Sequence, residues 1–132
     1  YGYPRKPLVQ DCHGAPGIVC RLSQARPPAL QALLRQGGEL TWHAGPLIKR
    51  PGLCHGTDGN GYAFLKLHRM TGEALWLERA RAFAMHAIGQ SDALAAEHGA
   101  RVPSLWTGDA GLAVYLAACL DGDAALPALD VF

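Results

Sequence analysis

The sequence predicts an all-α chain made of repeated helical hairpins, and three observations carry that expectation. A Gly-x-x-Gly loop occurs three times, as Cys12-His13-Gly14-Ala15-Pro16-Gly17, Cys54-His55-Gly56-Thr57-Asp58-Gly59 and Trp106-Thr107-Gly108-Asp109-Ala110-Gly111, at spacings of 42 and 52 residues. Each loop runs into a segment that is apolar almost all round. The intervening stretches carry apolar residues at steps of three and four, and none alternates long enough to read as a strand. Periods of this size belong to helical-hairpin arrays, whose units stack because no unit buries its apolar face alone.

In chain order, residues 1–7 (Tyr-Gly-Tyr-Pro-Arg-Lys-Pro) read as a proline-marked loop, and a first residue that is Tyr reads as part of a longer chain. The runs Ile18 to Leu22, Tyr62 to Leu67 and Leu112 to Leu120 are apolar on several sides, which predicts helices buried on more than one face. These are the inner helices. Residues 29–44 predict an outer helix interrupted or kinked at Gly37-Gly38, since each interior glycine costs about 1 kcal/mol relative to alanine. Trp76, Leu77, Ala80, Phe83, Ala84, Ala87 and Ile88 lie on one helical face, with Glu78, Arg79 and Arg81 directed elsewhere. This predicts a second outer helix from near Thr71 or Gly72, stopped by Gly89. Residues 91–103 read as a surface helix end and a loop that holds His98, and residues 126–132 as a short tail.

The composition bounds the partners. With 132 residues, 49% of them apolar and 17% charged, the chain has material for one globular domain. A formal charge of +1 without a polybasic run gives no electrostatic case for nucleic acid or an anionic membrane. No apolar run approaches the roughly 20 residues of a membrane span, and no signal-peptide apolar region is present, so a cytoplasmic location is expected. Of the four cysteines, two stand in Cys-His-Gly triplets, which suits reduced metal-binding thiols better than disulfides. Cys20 and Cys119 lie inside apolar runs and read as buried core thiols. Cysteine and histidine are a soft and a borderline metal donor, and the two triplets converge if the chain between them goes out and returns, as a hairpin makes it do.

Taken together, Cys12 to Gly17, Gly52-Leu53-Cys54-His55-Gly56 with Asn60 to Leu65, Ser104-Leu105 with Gly108-Asp109-Ala110-Gly111, and the closing Leu126-Pro127-Ala128 resemble the C-terminal part of the LanC-like family, the lanthionine synthetase cyclases. The resemblance covers nearly the whole chain in the expected order, so that residues 1–132 read as the C-terminal part of one such domain. It implies an α/α toroid, a ring of seven inner helices within seven outer ones, of which this chain holds about the last three hairpins. It also implies zinc at one mouth of the ring, with Cys12, Cys54 and His55 as ligands. Two thiolates and an imidazole are a good zinc set, and three protein ligands leave a fourth position for water or substrate, as in catalytic sites.

The reaction that the resemblance implies is Michael-type addition of a thiol to dehydroalanine or dehydrobutyrine in a peptide, giving a thioether. The thiol comes from a cysteine of the same peptide or from glutathione. His13 follows the first zinc cysteine and is the candidate acid that protonates the enolate; the plain alternative is a loop histidine that only shapes the site. Lys49 aligns with a lysine near the thiol in glutathione-binding relatives, and otherwise reads as a solvated lysine. His43 and His86 on outer helices and His68 at an inner helix end read as locally satisfied. Asp58 and Asp109 read as caps of their inner helices, and Trp42, Trp76 and Trp106 as packing residues. Asp11 departs from the family, which commonly has Trp there, and puts a charge beside the metal. Histidine and aspartate positions of the cyclases belong to earlier repeats. A non-catalytic zinc-containing module that binds a thiol or peptide therefore stands as the alternative to an enzyme. A toroidal glycosidase ranks last, since it needs paired carboxylates at the mouth and Asp11, Asp58 and Asp109 offer only loop positions.

Overall fold

Five helices account for the regular structure of residues 8–130, which the computed structural model describes; the opening loop expected at residues 1–7 and the last two residues of the tail fall outside them. They are α1 (Ala15–Leu22), α2 (Pro28–Ala44), α3 (Thr57–Thr71), α4 (Ala74–His98) and α5 (Asp109–Asp121), with no strand among the described residues. Helices α1, α3 and α5 start directly after Gly14, Gly56 and Gly108 and lie side by side with α3 in the middle. Behind this inner row, α2 packs on α1 and α3, and α4 packs on α3 and α5. The chain thus goes out along an inner helix and back along an outer one, the arrangement expected of part of an α/α toroid.

The all-round apolar character of the inner segments is borne out most fully in α3, where every residue from Thr57 to Leu67 is buried. Phe64 of α3 meets Phe83 of α4 edge-on, with ring centroids 4.9 Å apart, and stacks on Trp76 at 6.2 Å. Arg79 spreads its guanidinium over Trp42 and Trp76, 5.1 and 4.8 Å from their centroids, while pairing with Glu39 at 2.6 Å. Burial of a side chain the size of Phe64 or Phe83 contributes about 2 kcal/mol, so this aromatic group is what fixes α4 to α3.

Two helix expectations are corrected by packing. Helix α2 is continuous through Gly37-Gly38. A Cβ on Gly38 would run into Leu67 and the Trp76 ring, and one on Gly37 would lie 3.1 Å from Val19 Cγ2. The glycines are the places where α1, α3 and α4 press against α2, and that packing offsets their propensity cost. Likewise α4 does not stop at Gly89 but runs to His98, which makes His98 its last residue and not a loop residue. No atom lies within 4 Å of where a Gly89 Cβ would stand; the glycine is an exposed position in a long helix. The helix ends at Gly99 in the left-handed conformation, with its N–H donating to Ala95 O at 2.9 Å.

The segment after α5 is packed and not a loose tail. Ala124 and Leu126 belong to the core, and Asp130 pairs with Lys66, which is 1% exposed on α3. Asp130 Oδ2 also accepts the Leu126 N–H at 2.6 Å. Burial acts to raise the Asp130 carboxyl, but the bonds from Lys66 and Leu126 outweigh it and hold the group below its usual value. A lowered folded pKa means that the stabilisation is present above the ordinary carboxylate value and is lost as the pH falls through the folded one. Hydrogen exchange corrected for intrinsic rates should therefore show residues 124–130 losing protection below about pH 4. Asp130→Asn should remove that dependence, and equal protection of both proteins across the acid range would disprove the anchor.

Both ends of the array carry apolar grooves. One of about 260 Å3 lies between α1 and α2, beside Ile18, Leu30 and Leu33. The other, about 380 Å3, lies between α4 and α5, beside Met85, Ile88, Leu116 and Leu120. In a repeat array such faces are covered by the next hairpin.

Candidate metal centre

The site is built by the loops that enter the inner helices. The Cys12 N–H donates to Cys54 O at 3.0 Å, and the Cys54 N–H donates to Trp106 O at 2.9 Å. Residues 12, 54 and 106 therefore sit in register, the same register in which the three motifs align in the sequence. Only the first two loops place a thiol at that position; the third supplies a carbonyl from Trp106, whose half-exposed ring makes no aromatic contact among the described residues.

The glycines explain why the loops can lie so close. In every motif both glycines face the carbonyl six residues earlier: Gly14 and Gly17 meet Leu8 O and Asp11 O, Gly56 and Gly59 meet Arg50 O and Leu53 O, and Gly108 and Gly111 meet Val102 O and Leu105 O. A Cβ at any of these positions would overlap that oxygen. Gly-x-x-Gly is thus a steric requirement for folding the loop back over the helix start.

With the loops held in this way, the sulfurs of Cys12 and Cys54 and a ring nitrogen of His55 come within 4.8 Å of one another. Cys12 is exposed, and Cys54 and His55 are half-buried. Burial, followed by the neighbouring Cys12 thiol, pushes the Cys54 thiol above its ordinary value. Cys20 and Cys119 are buried apart from this cluster, and burial raises both thiols, Cys119 to about 11. No disulfide joins the four.

His13 and Lys49 are not part of the cluster. His13 is exposed; its backbone closes a tight turn with Gln10, the two residues exchanging N–H to O bonds of 3.2 Å, and its ring makes no hydrogen bond among the described residues. Lys49 is exposed on a bend and has no hydrogen bond or ion pair among the described residues. His43 and His68 are satisfied locally, each bonding a backbone carbonyl through Nδ1, Glu39 O at 2.7 Å and Glu73 O at 2.9 Å.

The carboxylates have other duties than those expected. Neither α3 nor α5 has a side-chain cap. Asp58 and Asp109 sit inside the first turn, and because side chains on a helix lean toward its N-terminus, they reach back into the preceding loop. Asp58 Oδ2 accepts the Gly52 N–H at 2.7 Å, and Asp109 Oδ2 accepts the Val102 N–H at 2.6 Å. Asp58 is fully buried and its Oδ1 has no partner among the described residues. Burial pushes it up to about 7, against the Gly52 bond and helped by the charge of Asp109. Asp11 is buried and forms a bidentate pair with Arg21: Oδ1 accepts from Nη1 at 2.5 Å and Oδ2 from Nη2 at 2.8 Å. All three acids are engaged in holding loops, so no carboxylate pair faces the mouth.

The sequence reading missed the positioning role of Asn60 and, though it singled out Asp11, the partner that Asp11 finds. Asn60 on α3 donates through Nδ2 to Val9 O at 2.9 Å, tying the chain before Cys12 to the helix that follows His55. The Asp11–Arg21 pair ties the turn that carries Cys12 to helix α1. A charge next to a candidate ligand, with an opposite charge ten residues on, was the available signal.

A helical-hairpin repeat whose in-register loops gather two thiols and an imidazole at one mouth is a repeat protein with a candidate thiol-rich metal centre. The chain belongs to the lanthionine synthetase C-like family, whose sequence model matches residues 2–131. It is 42% identical over 95 residues to "LanC-like protein GCL1" of Arabidopsis thaliana, covering 64% of this chain and 21% of that protein. It is 40% identical over 126 residues to "Glutathione S-transferase LANCL1" of Danio rerio, covering 88% of this chain and 29% of that protein. The chain thus spans less than a third of the length of these curated relatives. Among the described residues no helix is long and apolar enough to cross a membrane.

Proposed function

We propose that Cys12, Cys54 and His55 hold a zinc ion and that the site presents a thiol for addition to dehydroalanine or dehydrobutyrine in a peptide, forming a thioether. The observation that carries this is the convergence of the three donor atoms within 4.8 Å. The donor set fits zinc, and three protein ligands leave one position open. When bound, the ion lowers the pKa of a thiol at that position, so that thiolate is available at neutral pH. The name of the zebrafish relative supports glutathione as the thiol; an internal peptide cysteine would serve by the same chemistry.

The electron and proton balance needs no oxidant or reductant. The thiol gives up its proton, the sulfur forms a bond to the β-carbon of the alkene, and the π electrons move to the α-carbon as an enolate. A proton returned to that carbon completes the thioether. His13 is suited to deliver it, being exposed beside Cys12 with a ring that makes no hydrogen bond among the described residues. Lys49, exposed before the second loop, is proposed to meet the anionic thiol substrate. Proton transfer by a positioned side chain contributes about 100-fold or more.

The test uses the protein with its metal bound. Cobalt(II) in place of zinc should show thiolate charge-transfer absorption that changes when glutathione is added, and incubation with a dehydroalanine peptide should yield the thioether by mass spectrometry. His13→Ala should keep close to one metal per chain and lower the adduct rate by about 100-fold. If it loses the metal as completely as Cys12→Ala, the ligand set belongs elsewhere. The same Cys–Cys–His set also serves a second reading, a module that binds a thiol or peptide at the metal without catalysis. Spectral capture of glutathione without any product would establish it.

A further inference from the structure

We infer that Arg21 is a specificity residue for the proposed thiol site, taking a carboxylate of the substrate that lies in the groove beside Cys12. The inference rests on the reading of that site as a thiol site. A cavity of about 380 Å3 has Cys12 among its walls and continues along α1 past Ile18, Arg21 and Leu22. Residues 18, 21 and 22 share one face of the helix. Ile18 is 56% exposed, so this face offers an apolar wall with one cation set into it.

The guanidinium is held in place from behind. The Arg21 side chain is 44% exposed, whereas that of Asp11 is 2% exposed. Both residues wall the cavity, with the Asp11 carboxylate almost covered and the guanidinium the more exposed of the pair. Nη1 and Nη2 each bond one Asp11 oxygen, and Nη1 also approaches Gly17 O at 3.4 Å. Among the described residues Nε makes no hydrogen bond, and a guanidinium has five N–H donors. One edge of the fork remains to accept a planar carboxylate.

Chemistry and reach both point to that ligand class. Because Asp11 already balances the charge, the site has little long-range pull on anions and discriminates against a dianion, which would face Asp11 as well; a monoanionic, planar group matches the free edge. Seven residues of helix between Gly14 and Arg21 span about 10 Å. An extended peptide covers that length in about three residues. The carboxylate should thus lie two or three residues from the reacting atom, with an apolar stem on Ile18 and Leu22. Glutathione reaches a comparable length through its γ-linked glutamyl arm, although that residue adjoins the cysteine, and a peptide with an acidic residue near its dehydroalanine reaches it along the chain; the shared element is the carboxylate.

The experiment is calorimetry on the zinc-loaded full chain with paired probes: glutathione against its diethyl ester, and a dehydroalanine peptide with Glu against the same peptide with Gln two residues away. Wild type should prefer the acid in at least one pair by about tenfold, and the pair that responds identifies the source. Arg21→Lys keeps the charge opposite Asp11 but not the fork, and should reduce the preference to about threefold or less. The double change Asp11→Asn with Arg21→Gln leaves no charge stranded and should abolish it. Equal binding of acid and neutral probes by wild type, or a preference that survives the double change, would overturn the assignment. Cysteamine, a thiol without a carboxylate, separates the two readings. If cysteamine fails to bind while the acid preference stands, the thiol reading is wrong and Arg21 is still a carboxylate site. If cysteamine binds and the preference is absent, the Arg21 assignment alone is wrong.

Discussion

Cys54→Ala is expected to empty the metal centre while leaving the helices folded. Each ligand of a zinc site is worth ~3 kcal/mol when an apparent binding energy of about 10–16 kcal/mol is shared among four. Loss of Cys54 Sγ should therefore weaken zinc more than a hundredfold, and purified variant should carry almost none where wild type carries close to one ion per chain. The fold should survive because the aromatic core of Phe64, Trp76 and Phe83 lies on the helices and not in the loops. Elemental analysis with circular dichroism checks both halves. Cys119→Ala, which removes a buried thiol outside the cluster, is the control and should retain the metal. Zinc retained by Cys54→Ala, or a wild-type protein that is folded and cannot be loaded with zinc, would end the proposed chemistry.

Gly59→Ala, a single methyl in the first turns of α3, should be strongly destabilising. The added Cβ would overlap Leu53 O and come within 3.0 Å of Asp11 Cβ. Leu53 is fully buried, so neither contact can move into solvent, and overpacking of this kind costs about 3 kcal/mol. For a chain of this length that is roughly 10 °C or more in Tm. Since Leu53 precedes Cys54, the displacement should also weaken metal binding, although residue 59 bears no ligand. Gly89→Ala is the opposite case. It adds the same methyl to a helix where nothing lies within 4 Å, and should raise stability by about 1 kcal/mol. Thermal denaturation of the two variants side by side tests the argument; a Gly59→Ala protein as stable as wild type would show that the loop does not need its close approach.

The convergence of Cys12 with Cys54 and His55 was legible in the sequence because these residues belong to a repeat. Cys12 and Cys54 occupy the same place in successive motifs, and equal places in a hairpin array come to the same mouth, so the alignment of the motifs already contained the register that the Cys12–Cys54–Trp106 hydrogen bonds display. The outer helices were read less well. Gly37, Gly38 and Gly89 carry the same local propensity, yet the first two are contact points with other helices and the third faces open space. Propensity counts a missing side chain only as lost order; it holds no information on what fills the space.

The sequence by itself determined the helical-hairpin class, the order of inner and outer helices and the two Cys-His pairs, because periodicity and motif spacing are local or repeating properties; the choice of donors within those pairs came from the family resemblance. The tertiary structure alone decided where the charges go. Asp11 is buried beneath Arg21, Asp58 and Asp109 hold loop N–H groups in place of capping their helices, and Lys66 is buried against an aspartate 64 residues away. A buried charge must find a partner wherever the packed chain offers one, and that partner is set by the distance between helices, which no one-dimensional pattern records.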